Sequence, residues 1–384
     1  MANKQNCYCI VLSADSAYLP YAAVLIASIL RQAAGSDSAP RLPFVFHILT
    51  DSASAGLLAE GSGSAESQHF AAFCEAAERI YPCVVVLHAM HEEDFASIPY
   101  FSNHKNHASS YRLRLSSVIP SGTQRVLYLD SDMLACADVR ELFALDLGEN
   151  IAGVVADPKA YSPTFAPKKG KKSLTIPNYR NFNSGLLLLD YARYCEANIE
   201  EQCFAFLARY KTAFHDQEAL NATLMGKVRY LPFAWNCIYL APTLSAKGAQ
   251  MVFAPDSADS QSFAHTFKRE KWLCNLTRAE YETALESPKI IHYCDHKPWK
   301  SRFFYADDGG QPIVPQQREL WWEAAAQTPV YGAILQQNNS FDVEALDRLN
   351  ALAHALNIMQ MRIDRLRAPS RTLSQLWKKL RFWK

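Results

Sequence analysis

Two carboxylates stand one residue apart, Asp130 and Asp132 in "RVLYLDSDML", just after an apolar run that reads as a buried strand. Side chains repeat every two residues along an extended chain, so both acids project to one side if extended geometry continues through Ser131. Hard oxygen donors at a strand end suit a divalent cation, but turns also recruit Asp. Far downstream, "KIIHYCDHKPWK" places His292 after a short apolar strand and Lys297 five residues later, beside Pro298 and Trp299. A lone His is more often structural than a ligand. With Lys297 in an ordered loop, His292 suggests a ligand and a positive charge brought together. Two carboxylates, one imidazole and open positions would suit Mn²⁺ or Mg²⁺ bridging a diphosphate.

Alternating elements would supply the frame for these groups. "CYCIVLSA" reads as a strand, "LPYAAVLIASILRQA" as a helix and "LPFVFHIL" as a strand. A helical stretch around "QHFAAFCEAAERI", the strand "PCVVVLH", a helix through "SSYRLRLSSVI" and the strands "RVLYLD" and "NIAGVVAD" follow. This alternation predicts an α/β fold with a mostly parallel sheet covered on both faces, its ligands at the carboxyl ends of the strands. Asp15, Asp130 and Asp157 each follow an apolar strand and would collect along one rim.

The 384 residues, 49% hydrophobic and 20% charged, suffice for one large core with or without a small appendage. A formal net charge of +1 hides an asymmetry: residues 362–384 carry a net +7, leaving −6 on the rest. With the basic charge confined to one end, nucleic-acid binding is not expected. Ten cysteines without metal spacing read as small buried apolar residues in a reducing cytoplasm. The sequence passes from a polar start straight into a strand, and "YAAVLIASIL" is far shorter than the roughly 20 residues that span a bilayer. The protein is expected to stay on the cytoplasmic side.

The ordered motifs "VLYLDSDML", "NFNSGLLLLD", "HDQEALN" and "HYCDHKPW" resemble those of the family 8 glycosyltransferases over roughly residues 8–300. That group contains bacterial lipopolysaccharide galactosyl- and glucosyltransferases and glycogenin. The resemblance implies a GT-A fold, a UDP-glucose or UDP-galactose donor, Mn²⁺ (or Mg²⁺), and transfer with retention of anomeric configuration. It implies Asp130, Asp132 and His292 as metal ligands, with Ser131 and Lys297 at the donor. By the same resemblance Ala14 and Asp15 of "SADSAY" would read the uracil edge and Tyr18 would stack on its ring, although Tyr in such a loop often only packs. Ala17 stands where relatives commonly have Asn.

Arg112 matches a donor-contacting Arg, whereas Arg114, two residues along a helix, should face solvent or a salt bridge. Asn183 and Gly185 would touch the sugar, Gly185 letting backbone approach it closely. Asp157 corresponds to a sugar or acceptor contact or, equally, forms a turn before Pro158. Asp216 would bind hexose hydroxyls, with helix capping as its alternative role. Gln217 would lie opposite the leaving group, where an amide is a poor nucleophile, so front-face attack is favoured. The His-to-Lys loop departs from the family's His-x-x-Gly-x-x-Lys-Pro-Trp by one residue, with Asp295 near the Gly position and His296 a replacement contact.

On the acceptor side, residues 162–180 read as a long mobile loop whose Lys168, Lys169, Lys171 and Lys172 would meet an anionic saccharide or lipid, or merely solvent. His104 is a further acceptor candidate. Residues 1–305 form the expected catalytic domain, 306–368 a helical extension and 369–384 a basic tail. Ala345, Leu349, Leu352, Leu356, Met359, Ile363 and Leu366 alternate steps of four and three. The stripe fits either a coiled-coil homo-oligomer through residues 345–366 or packing against the catalytic domain. Residues 371–384 combine Leu and Trp on one helical face with Lys and Arg around it, a pattern for peripheral contact with an anionic inner-membrane surface.

The expected activity is Mn²⁺-dependent hexosyl transfer to a saccharide or glycolipid acceptor such as a lipopolysaccharide core. The rival is a non-catalytic UDP-sugar-binding or scaffolding protein, against which the intact acids and His292 argue. Sugar-nucleotide synthesis would call for a Gly-rich phosphate loop that "SADSAYLP" lacks.

Overall fold

Strand β1 (Tyr8–Ser13) shows why the apolar runs are unbroken. Tyr8, Ile10 and Leu12 pack into one apolar cluster with the helices Leu19–Ala34 and Ala65–Ile80, while Cys9 and Val11 enter a second cluster on the opposite face. A strand buried on both sides has no solvated face to alternate toward.

The computed structural model describes residues 6–37, 39–98, 107–161, 164–176, 180–239, 250–254, 271–294, 297–300 and 317–367. The further strands are β2 (Phe44–Asp51), β3 (Cys83–Met90), β4 (Arg125–Leu129), β5 (Met133–Ala135), β6 (Ala152–Ala156), β7 (Thr164–Phe165), β8 (Leu174–Thr175), β9 (Phe182–Asp190), β10 (Val228–Leu231), β11 (Gln250–Val252), β12 (Lys271–Leu273) and β13 (Ile290–His292). Seven form the central sheet in the order β10-β6-β9-β4-β1-β2-β3. All its pairings are parallel except those of β9, which runs antiparallel to both β4 and β6. The fold is therefore α/β with a mostly parallel sheet, as the alternation predicts.

The reversed β9 matters for the site. Its first residues, Phe182–Gly185, lie beside the end of β4, where Asp130 N donates to Gly185 O at 2.8 Å. The β1 end is shaped by a turn in which Asp15 Oδ1 accepts from Tyr18 N at 2.8 Å before the Leu19–Ala34 helix begins with Pro20 in its first turn.

Local predictions fail in two places. The segment Ala108–Ser117 is 3-10 rather than α, with a non-helical break at Arg114 (φ −136°, ψ 38°). Its four serines are weak helix formers, and the Arg112 side chain is drawn inward. Arg114 is half-buried, its guanidinium 4.1 Å from the Phe204 ring centroid. The Lys-rich stretch contains a hairpin, β7 with β8, and Lys168 N donates to Arg209 O at 2.9 Å. Lys168, Lys169, Lys171 and Lys172 are exposed on it.

Beyond residue 316, Trp321, Ala325 and Leu335 join Val24, Leu134, Ile291, Tyr293 and Trp299 in a third apolar cluster. This cluster buttresses the β5/β13 pair from behind. The last described helix, Tyr331–Arg367, starts against the body, with Tyr331 4% and Leu335 5% exposed. Farther along, Leu349, Leu352, Leu356 and Met359 are 55 to 61% exposed, so packing against the catalytic body does not account for these four. Among the described residues no helix is long and apolar enough to cross a membrane. His104, Asp295, His296 and the tail 371–384 lie outside the described residues.

Candidate active site

The strand carrying Asp130 does not continue through Ser131. β4 stops at Leu129, Ser131 and Asp132 form a turn, and β5 sets off in its own two-stranded sheet. That sheet decides the geometry. β5 pairs antiparallel with β13 in the register His292 to Met133, and Tyr293 N donates to Asp132 O at 3.0 Å. His292 Nε2 thereby lies 3.2 Å from Asp132 Oδ1 and 3.7 Å from Asp130 Oδ2. One donor atom from each of the three side chains falls within 4.8 Å of the others.

Gly185 leaves the room between them. A Cβ at this position would sit 2.5 Å from His292 Cε1, 2.7 Å from Asp130 Oδ2 and 2.8 Å from Asn183 Oδ1. The glycine expected to admit a sugar clears the space around Asp130, Asn183 and His292. Burial alone would push the Asp132 carboxyl up, but Lys297 and His292 outweigh it and hold the group well below the usual carboxylate range. The Lys297 ammonium pairs with Asp132 Oδ2 and also donates to Tyr293 O at 2.6 Å.

Behind the acids lies Arg112, 5% exposed. It donates through Nη2 to Asp130 Oδ1 at 2.6 Å and through Nη1 to Ser184 O at 2.7 Å, and its Nε is 3.1 Å from Asp216 Oδ2. The Tyr128 ring lies beneath it at 4.5 Å, and the Tyr128 hydroxyl donates to Asp130 Oδ1 at 3.1 Å. Arg112 thus faces inward and orients the rim rather than projecting into it. Ser131 also points inward, donating to Ser13 O at 2.7 Å and tying the Asp130–Asp132 turn to the end of β1.

The family model of Glycosyl transferase family 8 matches residues 9–302. The chain belongs to glycosyl transferase family 8. Among curated relatives, the lipopolysaccharide 1,3-galactosyltransferase of Salmonella typhimurium is 28% identical over 242 residues, 61% of this chain and 64% of that protein. The lipopolysaccharide 1,2-glucosyltransferase of Escherichia coli K12 is 25% identical over 201 residues, 50% of this chain and 55% of that protein. The chain spans less than two thirds of the length of these relatives. Of solved structures, the bifunctional glycosyltransferase WbbM in its apo form aligns with a TM-score of 0.57 at 19% identity, covering 88% of this chain and 52% of that one. That likeness speaks for the fold, which is of the GT-A glycosyltransferase type.

Asp216, Gln217 and Asp157 join this rim through hydrogen bonds. Asp216 lies in the first turn of the helix His215–Leu224, but it does not cap it; its carboxylate faces Arg112 and accepts from Ser184 Oγ at 3.2 Å. Burial pushes Asp216 up, against the opposing pull of Arg112. Gln217 Oε1 accepts from Asn183 Nδ2 at 3.2 Å and Ser184 N at 3.1 Å, while its Nε2 donates to Asp157 Oδ2 at 3.2 Å. Asp157 also accepts from Lys159 N at 2.9 Å through Oδ1, the turn contact expected as its alternative role. Burial pushes its carboxyl up to about 6 despite these donors.

Tyr18 is half-buried, edge-on to Tyr21 at 5.1 Å and Trp299 at 5.9 Å. Burial, with Asp132 and Asp130 nearby, raises its hydroxyl far above the usual phenol range. Ala14 is buried, its N donating to Leu49 O at 3.0 Å. Motif reading missed Asn236, which is fully buried and contacts both His292 Nδ1 and Asn183 Oδ1 at 2.9 Å. The one local hint is a polar residue inside the otherwise apolar "LPFAWNCI".

Proposed function

We propose that the chain is a retaining hexosyltransferase that moves glucose or galactose from UDP-glucose or UDP-galactose to a saccharide or glycolipid of the cell envelope, such as a lipopolysaccharide core. The observation that carries this reading is the convergence of Asp130, Asp132 and His292 at the strand ends of a family 8 chain. The named sugars and acceptor of its curated relatives support the substrate class.

The three side chains would hold Mn²⁺ or Mg²⁺. Two carboxylate oxygens and one imidazole nitrogen are a fitting donor set, and the missing Cβ of Gly185 leaves space beside them. When bound, such a cation neutralises the charge that gathers on a departing diphosphate. Lys297, now resting on Asp132, supplies a positive side chain for the same anion. Ala14, Asp15 and Tyr18 would meet the uracil, and Asn183, Asp157 and Asp216 the hexose. The Gln217 amide, engaged on both ends, is no nucleophile. Front-face transfer follows: the bond from the anomeric carbon to the diphosphate oxygen breaks, the acceptor oxygen bonds on the same face, and its proton passes to the departing phosphate oxygen.

Self-association through residues 345–366 and contact of residues 371–384 with anionic lipid belong to the same reading, since both would hold a cytoplasmic enzyme near a lipid-linked acceptor. The exposure of Leu349, Leu352, Leu356 and Met359 supports the first. The decisive assay is UDP release from UDP-glucose and UDP-galactose with and without Mn²⁺. Turnover that needs Mn²⁺ and disappears in Asp130→Ala is expected; metal-independent release at full rate by Asp130→Ala would refute it.

A further inference from the structure

We propose that Asn236 is the positioning residue that sets which nitrogen of His292 is free to ligate a cation, an inference that rests on the metal-site reading above. Asn236 ends the 3-10 turn Phe233–Asn236 and is held against β13 by its neighbour: Cys237 N donates to Ile290 O at 2.8 Å, and His292 N donates to Cys237 O at 3.0 Å. From there four side-chain contacts run in series across the floor of the site. His292 Nδ1 lies 2.9 Å from Asn236 Oδ1, and Asn236 Nδ2 donates to Asn183 Oδ1 at 2.9 Å. Asn183 Nδ2 donates to Gln217 Oε1 at 3.2 Å, and Gln217 Nε2 donates to Asp157 Oδ2 at 3.2 Å.

The oxygen and nitrogen of an amide are nearly alike in shape, so only their partners decide which way each amide faces. Two partners here can only donate. Ser184 N–H points at Gln217 Oε1 at 3.1 Å, and Gly185 N–H points at Asn183 Oδ1 at 3.0 Å. These adjacent backbone groups of β9 orient both amides. Asn183, with its oxygen so placed, accepts from the Asn236 NH₂, and Asn236 must then turn its oxygen toward His292. An oxygen at Nδ1 demands a proton there. A neutral imidazole has one N–H, so a cation held by Asp132 Oδ1 and Asp130 Oδ2, which lie 3.2 and 3.7 Å from Nε2, meets the Nε2 lone pair. The opposite tautomer would set Asn236 Oδ1 against Asn183 Oδ1 unless both backbone donors lost their acceptors.

The test uses the full chain, wild type, Asn236→Leu and Asn236→Asp, titrated with Mn²⁺ and followed by electron paramagnetic resonance. Nitrogen NMR of His292 in the metal-free protein runs alongside. Wild type should show a proton on Nδ1. Asn236→Leu should bind Mn²⁺ about 10–100-fold more weakly, with the two tautomers mixed. Asn236→Asp, which as the neutral acid keeps both an acceptor at Nδ1 and a donor to Asn183 Oδ1, should restore both affinity and tautomer. Unchanged Mn²⁺ affinity in Asn236→Leu, an Nε2–H tautomer in wild type, or equal weakening in both variants would overturn the proposal. Should Asn236→Leu fail to fold, the wild-type tautomer and the Asn236→Asp affinity still decide it. Wild type that binds no Mn²⁺ would end the metal-site reading itself, a result the tautomer signal keeps separate from the role of Asn236.

Discussion

Gly185 and His292 approach so closely that a Cβ on the glycine would lie 2.5 Å from the imidazole Cε1. His292 is 3% exposed and cannot swing into solvent. Gly185→Ala should therefore displace the ring and the Asp130 carboxylate together. The expected cost is about 1–3 kcal/mol of stability, as for other overpacked sites, with Mn²⁺ binding impaired as well. Thermal unfolding with and without Mn²⁺ measures both, and an alanine variant indistinguishable from wild type would show that the crowding is relieved elsewhere.

Cation binding should raise stability by mass action. At a free Mn²⁺ concentration near 100 times the dissociation constant, wild type should gain about 2.7 kcal/mol, and a chelator should remove the gain. Asp132→Asn should abolish the response while the protein still folds. A full response in that variant would place the cation elsewhere.

Arg112 is the buried counter-charge for two acids, Asp130 and Asp216. Arg112→Leu leaves both carboxylates partly or wholly desolvated without it, and a loss of about 3–5 kcal/mol is expected near neutral pH. The loss should shrink in acid as the carboxylates take up protons. Denaturant titrations at two pH values check the sign; a loss that does not depend on pH would point to packing over Tyr128 as the main contribution.

Asp157 provides a pH signature. Its carboxyl, pushed up by burial to about 6, lies above the ordinary Asp value of about 3.9. Between those values the folded chain holds more protons at this site than the unfolded chain, so its contribution to stability falls as pH rises. Wild type should lose about 2 kcal/mol relative to Asp157→Asn between about pH 4 and pH 7. A difference that stays flat across that window would show an ordinary carboxyl.

The helix Tyr331–Arg367 carries the test of self-association. Leu352 and Leu356, 59% and 56% exposed, lie on a stripe that repeats every 3.5 residues on average, the period of a supercoiled helical seam. The double change Leu352→Asp and Leu356→Asp should convert a dimer to a monomer in sedimentation and leave UDP release intact. A wild-type chain that is monomeric at every concentration would remove the idea.

The central sheet was legible because its strands are buried on both faces and read as continuous apolar runs, as in β1 and β4. The pairing of Asp130, Asp132 and His292 was legible as chemistry, since acids at a strand end and a distant His before a Lys are local patterns. Their relative placement was not. The extended geometry expected through Ser131 is replaced by a turn, because Met133–Ala135 leaves the main sheet to pair with Ile290–His292. The inward course of Arg112 escaped a helical reading because the segment is 3-10 and breaks at Arg114.

By itself the amino-acid order determined the fold class, the strand that presents the acids and the residue types able to hold a cation, because burial and side-chain periodicity act over a few neighbours. Only the tertiary structure decided that Gly185 makes room for His292, that Ser131 and Arg112 brace the rim from beneath, and that Asn236 meets the imidazole. Those relations come from strands and turns far apart in the chain, whose hydrogen bonds exist once the reversed β9 and the β5/β13 pair are in place and leave no period to read beforehand.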